Sequence, residues 1–365
     1  MSHRREIPFI GPLGPERLTV GKISFQGSRL GKEAALRLYG EADLLELGSL
    51  ANEVRHLLNP SPNVTYTVDR NINYTNVCVS RCGFCAFWRP PEHPEAYVLD
   101  LETLESKCEE TLSLGGTQVL YQGGLNPFLG LSWHLERLRL MRSMGLWVHG
   151  FSPPEIIFMA KTWGMSVREV LEKLVDAGLG SIPGGGAEIL SDRVRRAVSP
   201  LKCSSREWLQ VMREAHLLGL KTTATMMFGH METEEERVDH ILAIRSLQDE
   251  TGGFTAFIPW PYQPGKRTLR ARKVGPVTYL RTLALSRILL DNVPHIQASW
   301  VTQGPQIGQV ALHFGADDMG STMIEENVVA SAGVRFKVSE SEIRELIVKA
   351  GFRPLKRDVL YRPLE

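Results

Sequence analysis

Three cysteines fall within eight residues, Cys78-Val-Ser-Arg-Cys82-Gly-Phe-Cys85, a C-x3-C-x2-C spacing with no fourth cysteine close by in sequence. Thiolates bind metal, and three of them in one tight loop leave a metal position open. A structural zinc site closes with four protein ligands, whereas an iron–sulfur cubane held by three cysteines keeps one iron free for a substrate. Zinc with His93 or Cys108 as fourth ligand, or three unrelated thiols, stands as the alternative. Phe84, Phe87 and Trp88 crowd the same loop. Rings there would keep water from a cluster and hold its potential low, although such rings also serve as plain core.

Other chemistry-bearing residues are scattered. Gln122-Gly123-Gly124 is a turn whose glycines let backbone approach a ligand, though a lone Gly-Gly is equally an ordinary loop. A second glycine-rich turn, Pro183–Glu188, ends in an acid. His149, Glu155, His230, Asp317 and Asp318 are candidate bases, each equally a loop cap or an ion-paired residue. Arg193, Arg195 and Arg196 form a small basic cluster that suits a carboxylate or a solvated helix face. Cys108 and Cys203 read as packing cysteines.

Positioning these residues takes a scaffold. After a helical stretch, roughly Lys32 to Leu58, and a Pro/Asn/Ser break at Asn59–Asn63, short apolar runs alternate with helical patterns, which predicts a parallel sheet. Strands are expected near Thr65–Val68 leading into Asn73–Val77, then Thr117–Tyr121, Trp147–Phe151, Gly180–Ile182, Thr222–Phe228, Phe254–Ile258, Ile296–Val301 and near Gly315. Capping boxes at Ser166/Glu169, Ser204/Glu207, Thr233/Glu236 and Ser339/Glu342 mark helix starts, and Gly115, Gly178 and Gly219 mark stops. Trp208, Val211, Met212 and Ala215 show the 3.6-residue period of a buried helix face.

About eight such units without a composition shift predict one closed (β/α)8 barrel over 64–335, with an N-terminal helical extension over 1–63 and a C-terminal helical segment over 336–365. Chemistry in such barrels sits in the loops after the strands. The polar and glycine-rich segments Asn76–Arg89, Gln122–Pro127, Ser152–Glu155, Pro183–Glu188, Gly229–Glu232, Trp260–Pro264 and Thr302–Gly304 all fall there. Ser152 and Thr302, expected to end the third and seventh strands, either face a substrate or close a turn.

Composition excludes several roles. With 365 residues, 43% of them hydrophobic, the chain can bury a sizeable core. Lys and Arg number 42 against 41 Asp and Glu, a net charge of +1, so no global field draws nucleic acid or anionic lipid. Met1 to Gly14 lacks a signal peptide's apolar stretch, and no run of about 18 apolar residues occurs, so a cytoplasmic protein with no membrane partner is expected. The odd total of five cysteines fits free thiols in a reducing compartment.

The cysteine loop resembles the signature of the radical S-adenosylmethionine (SAM) superfamily. The runs DRNINYTNVCVSRCGFCAF, GGTQVLYQGGLNP, FSPPEI, IPGGGAEIL, TTATMMFGH, GGFTAFIPW, QASWVTQG and GSTMIEENVV, from Asp69 to Ala330, resemble the cyclic dehypoxanthinyl futalosine synthase family of the futalosine route to menaquinone. Trp88 stands where relatives are expected to carry Tyr, and a ring is kept. The resemblance implies the superfamily's TIM-type barrel, a [4Fe–4S] cluster on Cys78, Cys82 and Cys85, and SAM chelated to the free iron.

By the same resemblance Gln122, Gly123 and Gly124 bind the methionine end of SAM, Glu188 reaches a SAM hydroxyl or amino group, and Phe84 touches the adenine unless it only packs, with Phe87 beside it. Ser152 and Thr302 are the substrate candidates. The implied reaction is one-electron cleavage of SAM to a 5′-deoxyadenosyl radical, removal of hydrogen from C4′ of dehypoxanthine futalosine and closure of a spiro ring, with flavodoxin or ferredoxin as electron donor. The sibling families that make aminofutalosine and deazaflavins share the cysteine flanks, and a non-catalytic iron–sulfur or zinc protein is the rival of another class.

Overall fold

The computed structural model describes residues 7–8, 17–18, 29–265, 269, 271–334 and 336–364, so most of Met1–Gly14 lies outside the described residues. A ribbon of β1 (Ile7–Pro8) and β2 (Arg17–Leu18) precedes α1 (Lys32–Glu41), α2 (Leu44–Leu58), β3 (Asn63–Thr67) and β4 (Asp69–Asn73). Then come α3 (Leu101–Ser113), β5 (Gln118–Gln122), α4 (Leu131–Ser143), β6 (Trp147–Gly150), α5 (Pro153–Trp163), α6 (Val167–Ala177), β7 (Leu179–Ile182), α7 (Asp192–Val198) and α8 (Ser205–Leu217). The chain continues through β8 (Lys221–Phe228), α9 (Glu234–Thr251), β9 (Phe254–Pro261), α10 (Pro276–Leu289), β10 (His295–Ile296), α11 (Trp300–Gln303), α12 (Pro305–Ala311), β11 (Asp318–Ser321), α13 (Glu340–Lys349) and β12 (Arg353–Lys356).

Helices begin where their capping residues dictate. Ser166, Ser204, Thr233 and Ser339 each accept from the backbone N–H of the glutamate three positions on, while that glutamate reaches back to the cap's own N–H. Losing one such cap costs about 1 kcal/mol. The single helix expected over Lys32–Leu58 is divided, because the Asp43 carboxylate accepts from Leu45 and Glu46 N–H and starts α2 afresh.

Strands β4 to β10 form a seven-stranded sheet in sequence order, every neighbouring pair parallel. Hydrogen bonds carry this sheet onward. Gln297 bridges Asp318 in parallel, Ala298 N–H donates to the Asp318 carbonyl, and Thr322 and Ile324 N–H donate to the carbonyls of Thr67 and Asp69. Strand β11 is therefore the eighth stave, lying just past Gly315, and the fold is the TIM-type (β/α)8 layout of an α/β protein. Strand β11 also pairs with β3, and β3 with β12, which brings the chain's last segment beside the N-terminal ends of the barrel strands.

Two expected strands are displaced or cut short. The strand expected over Asn73–Val77 lies earlier, at Asp69–Asn73, because after Tyr74 the chain pairs sideways, Thr75 with Val98 and Val77 with Arg89. Of the run expected to be a strand over Ile296–Val301, only Ile296 lies in β10. Gln303 and Gly304 N–H bond back to Ser299 and Trp300 carbonyls and wind α11, a choice that apolar periodicity over so short a run does not decide. The predicted face of α8 is fully buried at Trp208, Val211, Met212 and Ala215. Trp208 removes about 200 Å2 from water, of order 5 kcal/mol against exposure, and its Nε1 donates to the Gly185 carbonyl, tying core packing to the glycine-rich turn.

Candidate active site

The cysteine loop leaves the sheet after Tyr74 and is strapped at both ends. Cys78 N–H donates to the Arg89 carbonyl at 3.2 Å, Arg89 N–H to Asn76 at 2.8 Å, Val79 N–H to Leu125 at 2.9 Å and Gly83 N–H to Val198 at 2.9 Å. The Arg89 guanidinium gathers the carbonyls of Ala86, Phe87 and Trp88. Between the first two cysteines Arg81 has φ of 47°, a left-handed conformation that costs a non-glycine residue about 1–2 kcal/mol and folds the loop back on itself.

Cys78, Cys82 and Cys85 line one cavity of about 230 Å3, with Phe84, Phe87, Gln122, Gly123, Gly124, Ser152 and Glu188 also in its wall. Ten of the eleven residues the sequence nominates thus meet in one place; Thr302 does not. The zinc alternative fails on position. Cys108 is buried within α3, the His93 ring accepts from Glu95 N–H, and neither lines the cavity. Among the described residues no three His, Cys, Asp or Glu side chains close on a point where one metal ion could sit. Three thiols set round a cavity suit a multi-iron group instead. As free thiols Cys82 and Cys85 resist ionisation, burial pushing Cys82 up to about 11 and raising Cys85 as well, so a metal's own charge would drive their ionisation.

Gly124 makes the cradle possible. A Cβ there would run into the Val77 carbonyl and stand 2.9 Å from Cys78 Cβ, so only glycine lets the second loop pass against the cysteine loop. The turn is held by Glu155. Its Oε1 accepts from Tyr74 Oη at 2.7 Å and Gly123 N–H at 3.0 Å, and its Oε2 from Ser152 N–H at 2.7 Å and Ser152 Oγ at 2.6 Å. Ser152 and Glu155 are therefore the capping box of α5. Glu155 is a fully engaged post and not a free base.

Glu188, with φ of 43°, projects into the cavity and meets a residue that sequence reasoning missed. Lys202 Nζ donates to Glu188 Oε1 at 2.6 Å and sits 5.2 Å from the Phe84 ring centre. Burial pushes the Glu188 carboxyl up, but the Lys202 charge and hydrogen bond outweigh it and hold it below its ordinary value. Burial works against the Lys202 ammonium too, and the neighbouring Cys82 and Glu188 more than offset that. A lone lysine in the loop before α8 carries no motif; only the fold shows its role.

A second cavity of about 300 Å3 fills the barrel interior and holds Thr302, His149, Gln297, Arg357 and Tyr361. Thr302 lies in α11, its Oγ1 engaged with Ser299. The other proposed bases are occupied elsewhere. His230 Nε2 contacts the Met227 carbonyl, Asp317 takes His295 and the Ile296 N–H, and Asp318 grips Arg357 at 2.5 and 2.9 Å. Arg193 pairs with Glu236, and buried Arg195 donates to the carbonyls of Gly186, Ala187 and Cys203, fixing the glycine-rich turn. Cys108 and Cys203 are buried in the core.

A barrel that gathers three cysteines beside a glycine-rich turn is the layout of an enzyme with a metal-dependent site at its loop end, and sequence comparison says which class. Residues 72–244 match the Radical SAM superfamily and residues 251–365 the CofH/MqnC C-terminal region. The chain is 44% identical to a cyclic dehypoxanthine futalosine synthase of Halalkalibacterium halodurans, covering 92% of this chain and 91% of that one. It is 41% identical to a 5-amino-6-(D-ribitylamino)uracil–L-tyrosine 4-hydroxyphenyl transferase of Archaeoglobus fulgidus, covering 87% and 93%. Among solved structures, methylornithine synthase (PylB) shares the fold with a TM-score of 0.71 at 16% identity, over 90% of this chain and 95% of that one.

The chain belongs to the radical SAM superfamily and, within it, to the futalosine-pathway CofH/MqnC family of enzymes. Membership implies a [4Fe–4S] cluster, SAM and a source of electrons, and the three-thiol cavity beside the Gln122-Gly123-Gly124 turn fits both groups. Among the described residues no helix is long and apolar enough to cross a membrane.

Proposed function

We propose that this chain is a radical SAM cyclase that converts dehypoxanthine futalosine to cyclic dehypoxanthinyl futalosine, with SAM consumed as oxidant and released as 5′-deoxyadenosine and methionine. Flavodoxin or ferredoxin as electron donor and a cytoplasmic setting belong to the same reading. The observation that carries it is the pair of adjoining cavities, which share Gln122, Gly185, Gly186, Trp260 and Val328 in their common wall. A substrate in the barrel interior thereby stands against the place where SAM is cleaved. The 44% identity to a cyclic dehypoxanthine futalosine synthase over nearly the whole chain supports the choice of substrate.

When bound and reduced, the cluster supplies one electron to the SAM sulfonium and so a 5′-deoxyadenosyl radical. The chain's own residues do the rest. Cys78, Cys82 and Cys85 would hold the cluster, and Gln122, Gly123 and Gly124 would receive the methionine end of SAM. Glu188, kept ionised by Lys202, would accept from a SAM hydroxyl or ammonium. Phe84, Phe87 and Trp88 exclude water and stray hydrogen donors, the protein's share of a reaction whose hard step belongs to the cofactor.

Anaerobic cluster reconstitution followed by mass spectrometry tests this. Reduced enzyme with SAM should give a product two hydrogens lighter than dehypoxanthine futalosine, and deuterium at C4′ should appear in 5′-deoxyadenosine. SAM cleavage with the substrate left untouched would overturn the cyclase reading. Because the Archaeoglobus relative is nearly as similar, the same assay with 5-amino-6-(D-ribitylamino)uracil and tyrosine is the necessary control, and turnover there would favour transfer over cyclisation.

A further inference from the structure

His149 projects from β6 into the barrel cavity, and its surroundings fix which ring nitrogen carries the proton. The register between β6 and β7 shifts after the Val148–Leu179 pair, so that His149 stands opposite Ser181. Such an irregularity re-aims a side chain. His149 Nδ1 lies 2.7 Å from Ser181 Oγ, and Trp147 Nε1 lies 2.9 Å from the same oxygen. The indole reaches it only because residue 180 is glycine: a Cβ there would collide with the Trp147 ring.

Proton counting follows. An indole N–H only donates, so Ser181 Oγ accepts from Trp147. Ser181 is 1% exposed, and among the described residues its hydroxyl has no other acceptor than His149 Nδ1. If Nδ1 also donated, the serine proton would be buried without a partner, at a cost of about 1–3 kcal/mol. Ser181 therefore donates to Nδ1, and the imidazole proton sits on Nε2. That nitrogen makes no hydrogen bond to the described protein residues, and His149 lines the cavity.

His149 pairs in register with Leu120, two residues before Gln122, one of the residues common to both cavities. It thus lies about 7 Å deeper in the barrel than Gln122. At the same depth or below, Gln118 and Thr67 line the cavity, and their Oε1 and Oγ1 are buried without a partner among the described residues. Resting on the reading that this cavity takes the substrate, we infer that the Trp147–Ser181–His149 relay holds His149 as a neutral Nε2–H donor that anchors a carbonyl or carboxylate oxygen at the substrate's buried end. His149 is a substrate-binding residue and not the base that takes the final proton. Burial, with Arg357 adding to it, holds its ring down to about 3, which keeps it neutral.

The test uses holoenzyme with its cluster oxidised and the histidines labelled with 15N, the His149 signals being assigned by their loss in H149Q. The expected spectrum shows an unprotonated Nδ1 and a protonated Nε2, unchanged over about pH 6 to 9. A proton on Nδ1 overturns the relay whatever the substrate proves to be. In turnover, H149A should raise the substrate KM about tenfold, whereas H149Q, which keeps an N–H at the same reach, should stay within about threefold of wild type. Iron content should stay unchanged in both. A kcat collapse at saturating substrate in H149Q as deep as in H149A would make His149 a base and overturn the proposal. Failure of wild-type enzyme to act on dehypoxanthine futalosine would instead count against the cyclase reading, leaving the spectrum as the judge of the relay.

Discussion

Lys202 and Glu188 form an ion pair at 2.6 Å beside Cys82, with side chains only 17% and 5% exposed. Removing one partner strands the other as a buried charge, which costs about 3–5 kcal/mol, whereas removing both costs far less. Lys202→Met and Glu188→Ala should each destabilise the cluster-free protein by about that much in denaturant unfolding, and the double variant by less than the sum. Strictly additive losses would show that the two charges act independently.

Gly124 touches the Val77 carbonyl so closely that an alanine methyl has no room, and Cys78 follows directly in the chain. Gly124→Ala must push the cysteine loop outward, overpacking that costs about 1–3 kcal/mol. The expected variant is folded by circular dichroism but takes up far less iron on reconstitution. Full iron and sulfide loading would show that the loop can shift without disturbing its thiols.

That the three cysteines, the glycines after the second strand and Glu188 meet in one cavity was legible because each sits in a short motif after an apolar strand, and the barrel's loop end brings all such motifs together. Capping boxes at Ser166, Ser204, Thr233 and Ser339 were legible for the same local reason. Ser152 and Glu155 form a box of the same kind, and their place after the third strand drew a substrate and a catalytic reading beside the turn and capping ones. Lys202, Arg357 and Tyr361 were invisible: their meaning comes from pairing across 14 residues with Glu188, across 39 with Asp318, and through stacking on Arg357 at 3.8 Å. Local pattern cannot report such long-range charge placement. The helix α11 was missed because Trp300-Val301 suits a buried strand as well as a buried helix.

Stability should fall on the acid side through buried imidazoles. Burial holds His134, His149 and His240 down to about 3, from an ordinary value of 6.5. Between those values the unfolded chain binds protons that the folded one refuses, so their contribution is complete above about pH 6.5 and is lost as pH falls toward 3. His240 accepts from Leu190 N–H at 3.0 Å, a bond glutamine can replace. From pH 7.5 to 5.0, wild type should lose about 2 kcal/mol more unfolding free energy than His240→Gln, since one pKa unit is about 1.4 kcal/mol. Parallel pH profiles would mean that His240 is protonated in the native state.

The metal assignment stands or falls on the cysteines. A three-thiol site has no spare ligand, so Cys78→Ala, Cys82→Ala or Cys85→Ala should each abolish both stable cluster assembly and 5′-deoxyadenosine formation. Iron content, the visible spectrum and SAM cleavage measured on one sample distinguish a missing cluster from an inactive one. Cys108 and Cys203 provide the contrast, since both are buried in the apolar core away from the cavity. Their alanine variants should keep full iron stoichiometry while losing about 1 kcal/mol or more of stability to the cavity left by the sulfur. Loss of iron in Cys108→Ala or Cys203→Ala would point to a fourth thiolate ligand, and full turnover in any of the first three would remove that residue from the cluster.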